Sequence, residues 1–284
     1  MFHRCRLIPA VLLAALLPIT AAAQSAAAPA QAPAQPAPER NDPDILVDPM
    51  QPDFTLAALP TTLRLPKGKW AFRVTHRFTR PLDDGNFGDL VSDAFGLDGG
   101  AQVGLEVRFG LFSGTQLGVH RTSDRSTQLF VQQSILKQRD GGLLGLDAIA
   151  TVEGYDNLTD HHESALGFVL SRNLGRRAAL YAEPLFVVNA NPFAAGDNNT
   201  LMLGLGTRLR IRPSTYLVAE YTPRLTGYDP NDSQISFALE GRAGGHLFQL
   251  NVSNGFGTTL GQLAAGGISN DDWFLGFNLS RKFF

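Results

Sequence analysis

The C-terminal stretch 273–284, WFLGFNLSRKFF, alternates large apolar residues with residues that are mostly small or polar. Trp273, Leu275 and Phe277 occupy every second position, and Leu279 and Phe283 continue the same series. Side chains of a β-strand point alternately to opposite faces of a sheet. The period of two therefore predicts a strand with one apolar face rather than a helix.

Segments of the same kind recur from residue 69 onward. Val103, Leu105 and Val107, for example, alternate with polar residues and glycine. The segments are close to the roughly 9–11 residues with which a tilted strand crosses a bilayer. They begin near Lys69, Gly99, Thr115, Ser126, Leu143, Ser164, Ala178, Thr200, Thr215, Gln234, His246 and Asp271. The sequence therefore predicts an all-β fold, a transmembrane antiparallel β-barrel of about twelve strands, an even number as bacterial barrels require.

The lengths of the predicted connections alternate along the chain. Connections after even-numbered strands are short, as at 113–114 and 213–214. Connections after odd-numbered strands are mostly longer: 80–98, 154–163, 189–199, 223–234 and 254–270, with the short third loop near 122–125 as the exception. Short periplasmic turns and long outer loops are typical of transmembrane barrels. The last strand would then pair with the first one, with its apolar face toward lipid.

The aromatic C-terminal strand is also typical of a barrel assembly signal. The predicted signal comprises Trp273, Leu275, Phe277, Leu279, Phe283 and Phe284, of which Phe284 lies out of phase. The expected partners are outer-membrane lipid, the barrel-assembly machinery and small ions or solutes. No cofactor is expected.

The N-terminus has the features of an export signal. Arg4 and Arg6 precede an apolar run over 7–19, and small residues at 21–23 follow it. These features predict a signal peptide over 1–23, cleavage near Ala23-Gln24 and location in the outer membrane of a Gram-negative-type bacterium. Cys5, the single cysteine, would be removed, so no disulfide or thiolate chemistry is expected in the mature chain.

Two further regions follow the predicted cleavage site. Residues 24–66 are predicted to be a disordered Ala/Pro/Gln linker and periplasmic lead-in that packs under the barrel or partly into it. Residues 67–284 are the predicted barrel. The formal net charge of the whole chain is −2, and loss of the two leader arginines makes it more acidic. This charge argues against a nucleic-acid partner, which requires a basic patch.

Four stretches carry a family resemblance: LPTTLRLPKGKWAFRVTHRFTRPL (59–82), FGDLVSDAFGLDGGAQVGLEVRFG (87–110), FQLNVSNGFGTTLGQLAAGG (248–267) and NDDWFLGFNLSRKFF (270–284). They resemble an uncharacterised bacterial outer-membrane β-barrel family, the domain of unknown function family fifty-seven seventy-seven. The resemblance runs from about Leu59 to the C-terminus. It implies a barrel in the outer envelope, and it implies no activity, substrate or catalytic residue.

The predicted lumen face is rich in charged residues of both signs. They are Arg73, Arg77, Glu106, Arg108, His120, Asp147, Glu153, Glu183, Arg208, Arg210, Glu220, Arg224, Glu240 and Arg242. One interpretation is a structural salt-bridge network that fills a narrow lumen, because unpaired buried charge is costly. The other is a charge-selective pore for small ions or solutes. The near balance of acids and bases favours the network.

A polar cluster, DHHE, lies on a predicted outer loop. Asp160, His161, His162 and Glu163 are weak candidates for a metal site, because adjacent histidines point apart unless a loop bends them together. The alternative is a solvated loop tip, and no metal is expected. His162 and Ser164 share a strand face, which leaves a lipid-acting outer-membrane hydrolase as a low-ranked alternative.

A glycine-rich stretch, GFGTTLGQLAAGG (255–267), lacks the lysine and the strand–helix context of a phosphate-binding loop. It is expected to fold inward as a short turn or helix that constricts the barrel mouth, and residues 87–95 are candidates for the same arrangement. The predicted function is a narrow passive pore or small-solute transporter with a charged Arg/Glu lumen. A structural barrel without transport is the alternative, and an enzyme is not expected.

Overall fold

The computed structural model describes residues 47–93, 99–138, 142–191, 198–229 and 232–283. The predicted signal peptide, the first part of the predicted linker and Phe284 lie outside these described residues.

The described chain is almost entirely β-sheet. The strands are β1 (Trp70–Pro81), β2 (Ala101–Phe112), β3 (Thr115–Thr122), β4 (Thr127–Leu136), β5 (Gly145–Gly154), β6 (Asp160–Leu174), β7 (Ala178–Val188), β8 (Thr200–Arg212), β9 (Thr215–Thr222), β10 (Arg224–Gly227), β11 (Gln234–Ala243), β12 (His246–Ser253) and β13 (Phe274–Phe283). Strands β9 and β10 both pair with β8 and are separated only by Pro223. They are two parts of one barrel strand, since proline has no N–H for the ladder.

The sheet closes on itself. Each barrel strand pairs antiparallel with its neighbours in the chain, and β1 pairs with β13 from Trp70–Phe283 through Arg77–Gly276. Trp70 also stacks on Phe283 across this seam, with ring centroids 3.8 Å apart. The described residues therefore form a closed antiparallel barrel of twelve strands, which confirms the predicted fold class.

The two faces of the barrel differ as the alternation predicts. The outer face carries exposed aliphatic and aromatic side chains on most strands, among them Leu105, Val107, Val119, Val131, Leu166, Phe186, Leu205, Leu239 and Leu250. The inward positions between them are mainly polar, charged or small, and most are buried. An exterior of this kind is suited to hydrocarbon rather than water.

The helices are short. They are α1 (Phe87–Ser92), the helical turn α2 (Tyr155–Leu158) and α3 (Leu260–Ala265). In the described part of the chain, no helix is both long and apolar enough to span a bilayer.

The two stretches that were expected to fold inward behave differently. Residues of α3 are buried, so the prediction for 255–267 is confirmed. Helix α1 has no buried residue, and Phe87 is 71% exposed. The same prediction is therefore wrong for 87–93: a capping box at Asn86 and Asp89 stabilises α1 on the surface without any contribution from the lumen.

The N-terminal part of the described chain lies inside the barrel. Nearly every residue from 47 to 66 is buried, and Leu56, Leu59 and Leu65 are among the most completely buried side chains of the described chain. This segment, 47–66, is called the inner hairpin below.

Candidate functional site: a lumen filled by two inserts

The inner hairpin is a re-entrant loop with its tip inside the lumen. The Leu56 N–H donates to the Leu59 carbonyl at 2.8 Å, and the Thr61 N–H donates to the Phe54 carbonyl at 2.8 Å. Thr55 and Pro60 form an isolated antiparallel bridge. The chain thus rises from the end of the barrel that carries the short turns, reverses over 56–59 and returns to β1.

A carboxylate of the wall binds the hairpin tip. Glu220 of β9 accepts hydrogen bonds from the main-chain N–H groups of Ala57 at 2.7 Å, Ala58 at 3.0 Å and Leu59 at 3.0 Å. Three converging N–H donors solvate a buried carboxylate much as a helix N-terminus does. The tip therefore stabilises a charge that would otherwise be costly to bury.

The opposite side of the tip is held from the barrel seam. The Ala57 carbonyl accepts from Asn278 Nδ2 of β13 at 2.8 Å and from Arg77 Nη2 of β1 at 3.4 Å. Arg77 Nη1 in turn donates to Asn278 Oδ1 at 2.8 Å, which fixes the orientation of both side chains. The tip lies between an acidic and a basic wall residue, and each of them binds its main chain.

Other wall side chains donate to further main-chain carbonyls of the hairpin. Arg208 binds the Thr55 carbonyl at 2.8 Å and is itself paired with Glu240, with its Nε 2.7 Å from Oε2. The remaining donor–acceptor pairs are Tyr216–Pro49 at 2.8 Å, Lys282–Pro52 at 2.9 Å, Gln249–Leu56 at 3.1 Å, Gln132–Thr61 at 2.8 Å and Gln116–Leu63 at 3.1 Å.

Two glycines of β8 provide space for the apolar tip residues. A Cβ on Gly206 would lie 2.3 Å from Leu56 Cδ1, and a Cβ on Gly204 would lie 2.7 Å from Leu59 Cδ2. Glycine inside a strand often marks a close approach of another chain segment. Here it allows the hairpin leucines to pack directly on the wall.

A second insert enters from the opposite end of the barrel. This outer insert, residues 254–267, contains α3 and connects β12 to β13. Its N-cap Thr259 forms a capping box with Gln262. Leu260 and Leu263 join the same apolar cluster as the hairpin leucines, so the two inserts meet inside the lumen.

Two neighbouring acids lie beneath α3. Glu153 of β5 accepts from Thr259 Oγ1 at 2.7 Å and from the Gly261 N–H at 3.2 Å. A Cβ on Gly261 would lie 1.7 Å from Glu163 Oε1 and 2.8 Å from Glu153 Oε2, which places the two carboxylates side by side. Burial, followed by the charges of Glu163 and Glu153, raises the pKa of Tyr155 in the adjacent turn α2.

Little space remains in the described lumen. One cavity, beside Phe54 and Ser280, measures about 10 Å³, and another, beside Pro60 and His120, measures about 20 Å³. Such volumes hold about one water molecule each. Both inserts therefore occupy the lumen around these two small cavities.

Part of the predicted charge network forms one buried cluster around Glu106. Arg73 Nη2 and Arg108 Nη2 each lie 2.9 Å from a carboxylate oxygen of Glu106, and His120 Nδ1 lies 3.9 Å from it. The Arg108 guanidinium also lies over the Phe130 ring, 4.6 Å from its centroid. Arg73 additionally donates to Thr55 Oγ1 at 2.7 Å and so links this cluster to the hairpin.

The other predicted lumen charges are distributed over the wall. Asp147 pairs with Arg64 of the hairpin at 3.0 Å, and Arg224 pairs with Asp229. Glu183 is fully buried, and neither of its carboxyl oxygens has a hydrogen-bond partner among the described residues. Arg210 and Arg242 are half-buried. Arg210 donates to the Pro213 carbonyl of a short turn at 2.8 Å.

The candidate metal residues do not converge. His161 Nε2 contacts the Asn189 carbonyl at 2.8 Å, and His162 Nε2 contacts the Leu158 carbonyl at 3.0 Å. Asp160 is exposed, whereas Glu163 points into the lumen. No group of three His, Cys, Asp or Glu side chains with metal-binding geometry occurs in the ranges that the structure describes.

The residues of the predicted assembly signal lie at the barrel seam. Phe277, Leu279 and Phe283 lie on the outer face of β13, where Phe277 stacks on His76 of β1 at 4.8 Å. Leu275 lies on the same face, and Trp273 directly precedes the strand. Phe284 lies outside the described residues.

Sequence reasoning did not single out the hairpin contacts. The wall amides Gln116, Gln132, Gln249 and Asn278 all lie in the inward phase of their strands, next to the charged residues that the alternation did identify. The available signal for a segment inside the lumen was the presence of inward glutamines together with inward glycines. Glutamine can bind the main chain of another segment, and glycine leaves space for it.

Comparison with known proteins agrees with this architecture. The family described as the membrane-bound beta barrel domain (DUF5777) matches residues 53–283. The chain belongs to this family. The match begins within the inner hairpin, so it covers the tip as well as the barrel. No curated protein matches the chain significantly.

Solved structures of similar fold are outer-membrane channels. The NanC porin aligns with a TM-score of 0.52 and 10% identity, over 76% of this chain and 100% of that one. The COG4313 outer membrane channel from Pseudomonas putida F1 aligns with a TM-score of 0.50 and 12% identity, over 78% of this chain and 98% of that one. At these identities the likeness is one of fold, and the fold is that of a porin-like outer-membrane β-barrel.

Proposed function

We propose that the protein is an outer-membrane channel that the inner hairpin closes. The observation that carries the proposal is that a separate segment, the inner hairpin, is buried inside the lumen among the inward side chains of the strands. A barrel with no transport role can fill its interior with its own side chains. Here the wall instead has two residues without side chains, Gly204 and Gly206, at the positions where the hairpin packs.

The hairpin packs Leu56 and Leu59 into the apolar cluster of the lumen, and polar contacts with the wall hold the rest of it. Most are single hydrogen bonds from wall side chains to its main chain, and water can replace each of them at a net cost of about 0.5–1.5 kcal/mol. Withdrawal would leave a passage lined by Glu220, Arg77, Arg208 and the wall amides, together with apolar wall residues such as Val169, Leu185 and Met202. The narrow charged pore expected from the sequence is thus proposed as the open state, and the closed state is the one described above.

The proposed location is the outer membrane of a Gram-negative-type bacterium, reached after cleavage of the signal peptide near Ala23-Gln24. The outward aromatic residues of β13 support its proposed role as the signal for the barrel-assembly machinery. We propose no enzymatic activity: the described hydrogen bond of the His162 ring goes to the Leu158 carbonyl and not to an acid that could orient a catalytic base.

Planar-bilayer recording of the full chain tests the proposal. Glu220→Ala removes the acceptor of three hairpin N–H groups, so the open probability should rise at least about tenfold if roughly 1.4 kcal/mol or more of hairpin stabilisation is lost. Glu183→Ala is the matched control, because Glu183 is equally buried but makes no hydrogen bond to the hairpin. Its open probability should match that of the unsubstituted chain.

The result also separates the channel from a structural barrel. Samples are first checked for folding by the heat-dependent shift of their electrophoretic mobility. If the full chain and Glu220→Ala are both folded and both silent at all voltages, the barrel has no transport role. Equal open probabilities in Glu220→Ala and Glu183→Ala would show that the hairpin is not the gate.

A further inference from the structure

The wall of the lumen recognises the hairpin mainly through its main chain. Seven hairpin carbonyls accept hydrogen bonds from wall side chains; they belong to Pro49, Pro52, Thr55, Leu56, Ala57, Thr61 and Leu63. Three hairpin N–H groups donate to Glu220, and the Leu65 N–H donates to Gln116 at 3.3 Å. The wall groups belong to seven strands, β1, β3, β4, β8, β9, β12 and β13, so they surround the segment.

Contacts of this type do not depend on side-chain identity. Every peptide carries the same carbonyl and N–H groups, and main-chain hydrogen bonds contribute affinity without fixing the sequence. At the tip the wall binds Ala57 and Ala58, whose methyl groups offer little for recognition. The wall side chains there bind main-chain amide groups, which the hairpin supplies and which any other peptide could also supply.

We propose that the lumen site around Glu220, Arg77, Asn278 and Arg208 binds short peptides, and that the inner hairpin is its intramolecular occupant. The inference rests on the proposed channel function and names its substrate class: oligopeptides that adopt an extended or turned backbone. A peptide in transit would replace the hairpin and make the same main-chain hydrogen bonds.

The charges of the vacated site favour the same class. Without the hairpin, the Glu220 carboxylate loses its three N–H donors and becomes an acceptor for an N-terminal ammonium group. The Arg77 guanidinium, which loses the Ala57 carbonyl, can bind a C-terminal carboxylate, whereas Arg208 stays paired with Glu240 and keeps a donor for a peptide carbonyl. A short zwitterionic peptide therefore complements the vacated wall at both of its ends as well as along its backbone.

Peptide binding can be measured on the full chain through exposure of the hairpin. Thr62 is buried, so the thiol of Thr62→Cys, in a Cys5→Ser background, should react with a maleimide only when the hairpin has left the lumen. A ligand of the vacated site raises the population of the open state by the factor one plus its concentration over its dissociation constant. The labelling rate should rise by the same factor, about tenfold at ten times the dissociation constant.

The probes are three synthetic peptides of equal length. One has the sequence of residues 53–63, the second is an unrelated peptide of small residues, and the third is the first one N-methylated at the positions of Ala57, Ala58 and Leu59. The first two should accelerate labelling at concentrations up to about 10 mM, near the effective concentration of the tethered hairpin. The third should have no effect, because methylation removes the N–H donors to Glu220.

Two variants sharpen the assignment. Glu220→Gln should raise the basal labelling rate and reduce the acceleration by peptide, whereas Glu183→Gln should change neither. The proposal is overturned if no peptide alters the labelling rate, if the N-methylated peptide acts equally well, or if only the 53–63 sequence acts. If peptides accelerate labelling in a barrel that never conducts, the peptide site is supported and the channel function is contradicted. The two proposals can therefore fail independently of each other.

Discussion

The inner hairpin and the outer insert fill one lumen but are held in different ways. Wall side chains bind the main chain of the hairpin, whose C-terminal end leads into β1. The outer insert is joined to strands at both ends, β12 and β13, and its helix α3 carries its own cap and buries Leu260 and Leu263. Both inserts bury leucines in one apolar cluster, so the difference lies in their other contacts. Water can replace the hydrogen bonds that the wall makes to the hairpin, whereas the outer insert has a capped helix and is anchored to a strand at each end.

The largest expected effect on stability comes from replacing one buried leucine in each of the two inserts. Leu263→Ala in the outer insert should lower the free energy of unfolding by about 2–5 kcal/mol, because it leaves a cavity in a fixed core. Leu59→Ala in the hairpin removes an equally buried side chain but should cost the barrel much less, since the hairpin can detach before the barrel unfolds. Urea titration of both variants measures the difference. Equal costs would make the hairpin an integral part of the core.

A second test uses the lumen glycines. Gly206→Val places a side chain where Leu56 packs, and overpacking of this kind costs about 1–3 kcal/mol. It should expel the hairpin, raise the open probability and leave α3 in place. Gly241→Val is the control, because a Cβ on Gly241 would meet no atom within 4 Å. If both variants gave the same conductance, the close contact between hairpin and wall would not govern opening.

A smaller effect is expected beneath the outer insert. Glu163→Gln replaces one of two adjacent buried carboxyl groups, and Glu163 Oε1 has no hydrogen-bond partner in the part of the chain that the structure describes. A glutamine carries no charge, so the folded state no longer has to bury a carboxylate beside Glu153 or take up a proton there, and the barrel should be more stable at pH 8 by on the order of 1 kcal/mol. Thermal unfolding measures the gain, and the neighbouring inward substitution Gln128→Glu should have the opposite sign. Destabilisation by Glu163→Gln would mean that the acid pair binds something that requires both charges.

The barrel was predictable because lipid and water impose a simple alternation on each strand. Strands β3, β7, β8, β9, β11 and β12 begin at the predicted residues. Strand β6 begins at Asp160, four residues before the prediction, since its polar start lies beyond the apolar belt and does not alternate. The periodic signal ends where the apolar environment ends.

The hairpin could not be derived in the same way. Its residues have no periodicity, and its contacts come from wall side chains on seven strands that only the closed barrel brings together. The alternation of charged residues identified Glu220 and Arg77 as lumen residues but predicted a salt-bridge network or a charge-selective pore rather than contacts with another segment. In the structure, both of them bind the amide groups of Ala57 and its neighbours.

The central claim is that the hairpin must leave the lumen before the channel conducts. Thr62 Oγ1 and Ser171 Oγ lie 2.5 Å apart, so Thr62→Cys/Ser171→Cys should form a disulfide that fixes the hairpin to β6. Ser236→Cys/Ser253→Cys, whose hydroxyls lie 3.1 Å apart, links two wall strands and serves as the control.

Single-channel currents are recorded from both oxidised variants, in a Cys5→Ser background, before and after addition of a reductant to the same bilayer. The account predicts a silent hairpin-locked barrel that opens at the frequency of the unsubstituted chain once it is reduced, and a wall-locked control that opens throughout. Openings of equal frequency before and after reduction of the hairpin-locked variant would contradict it.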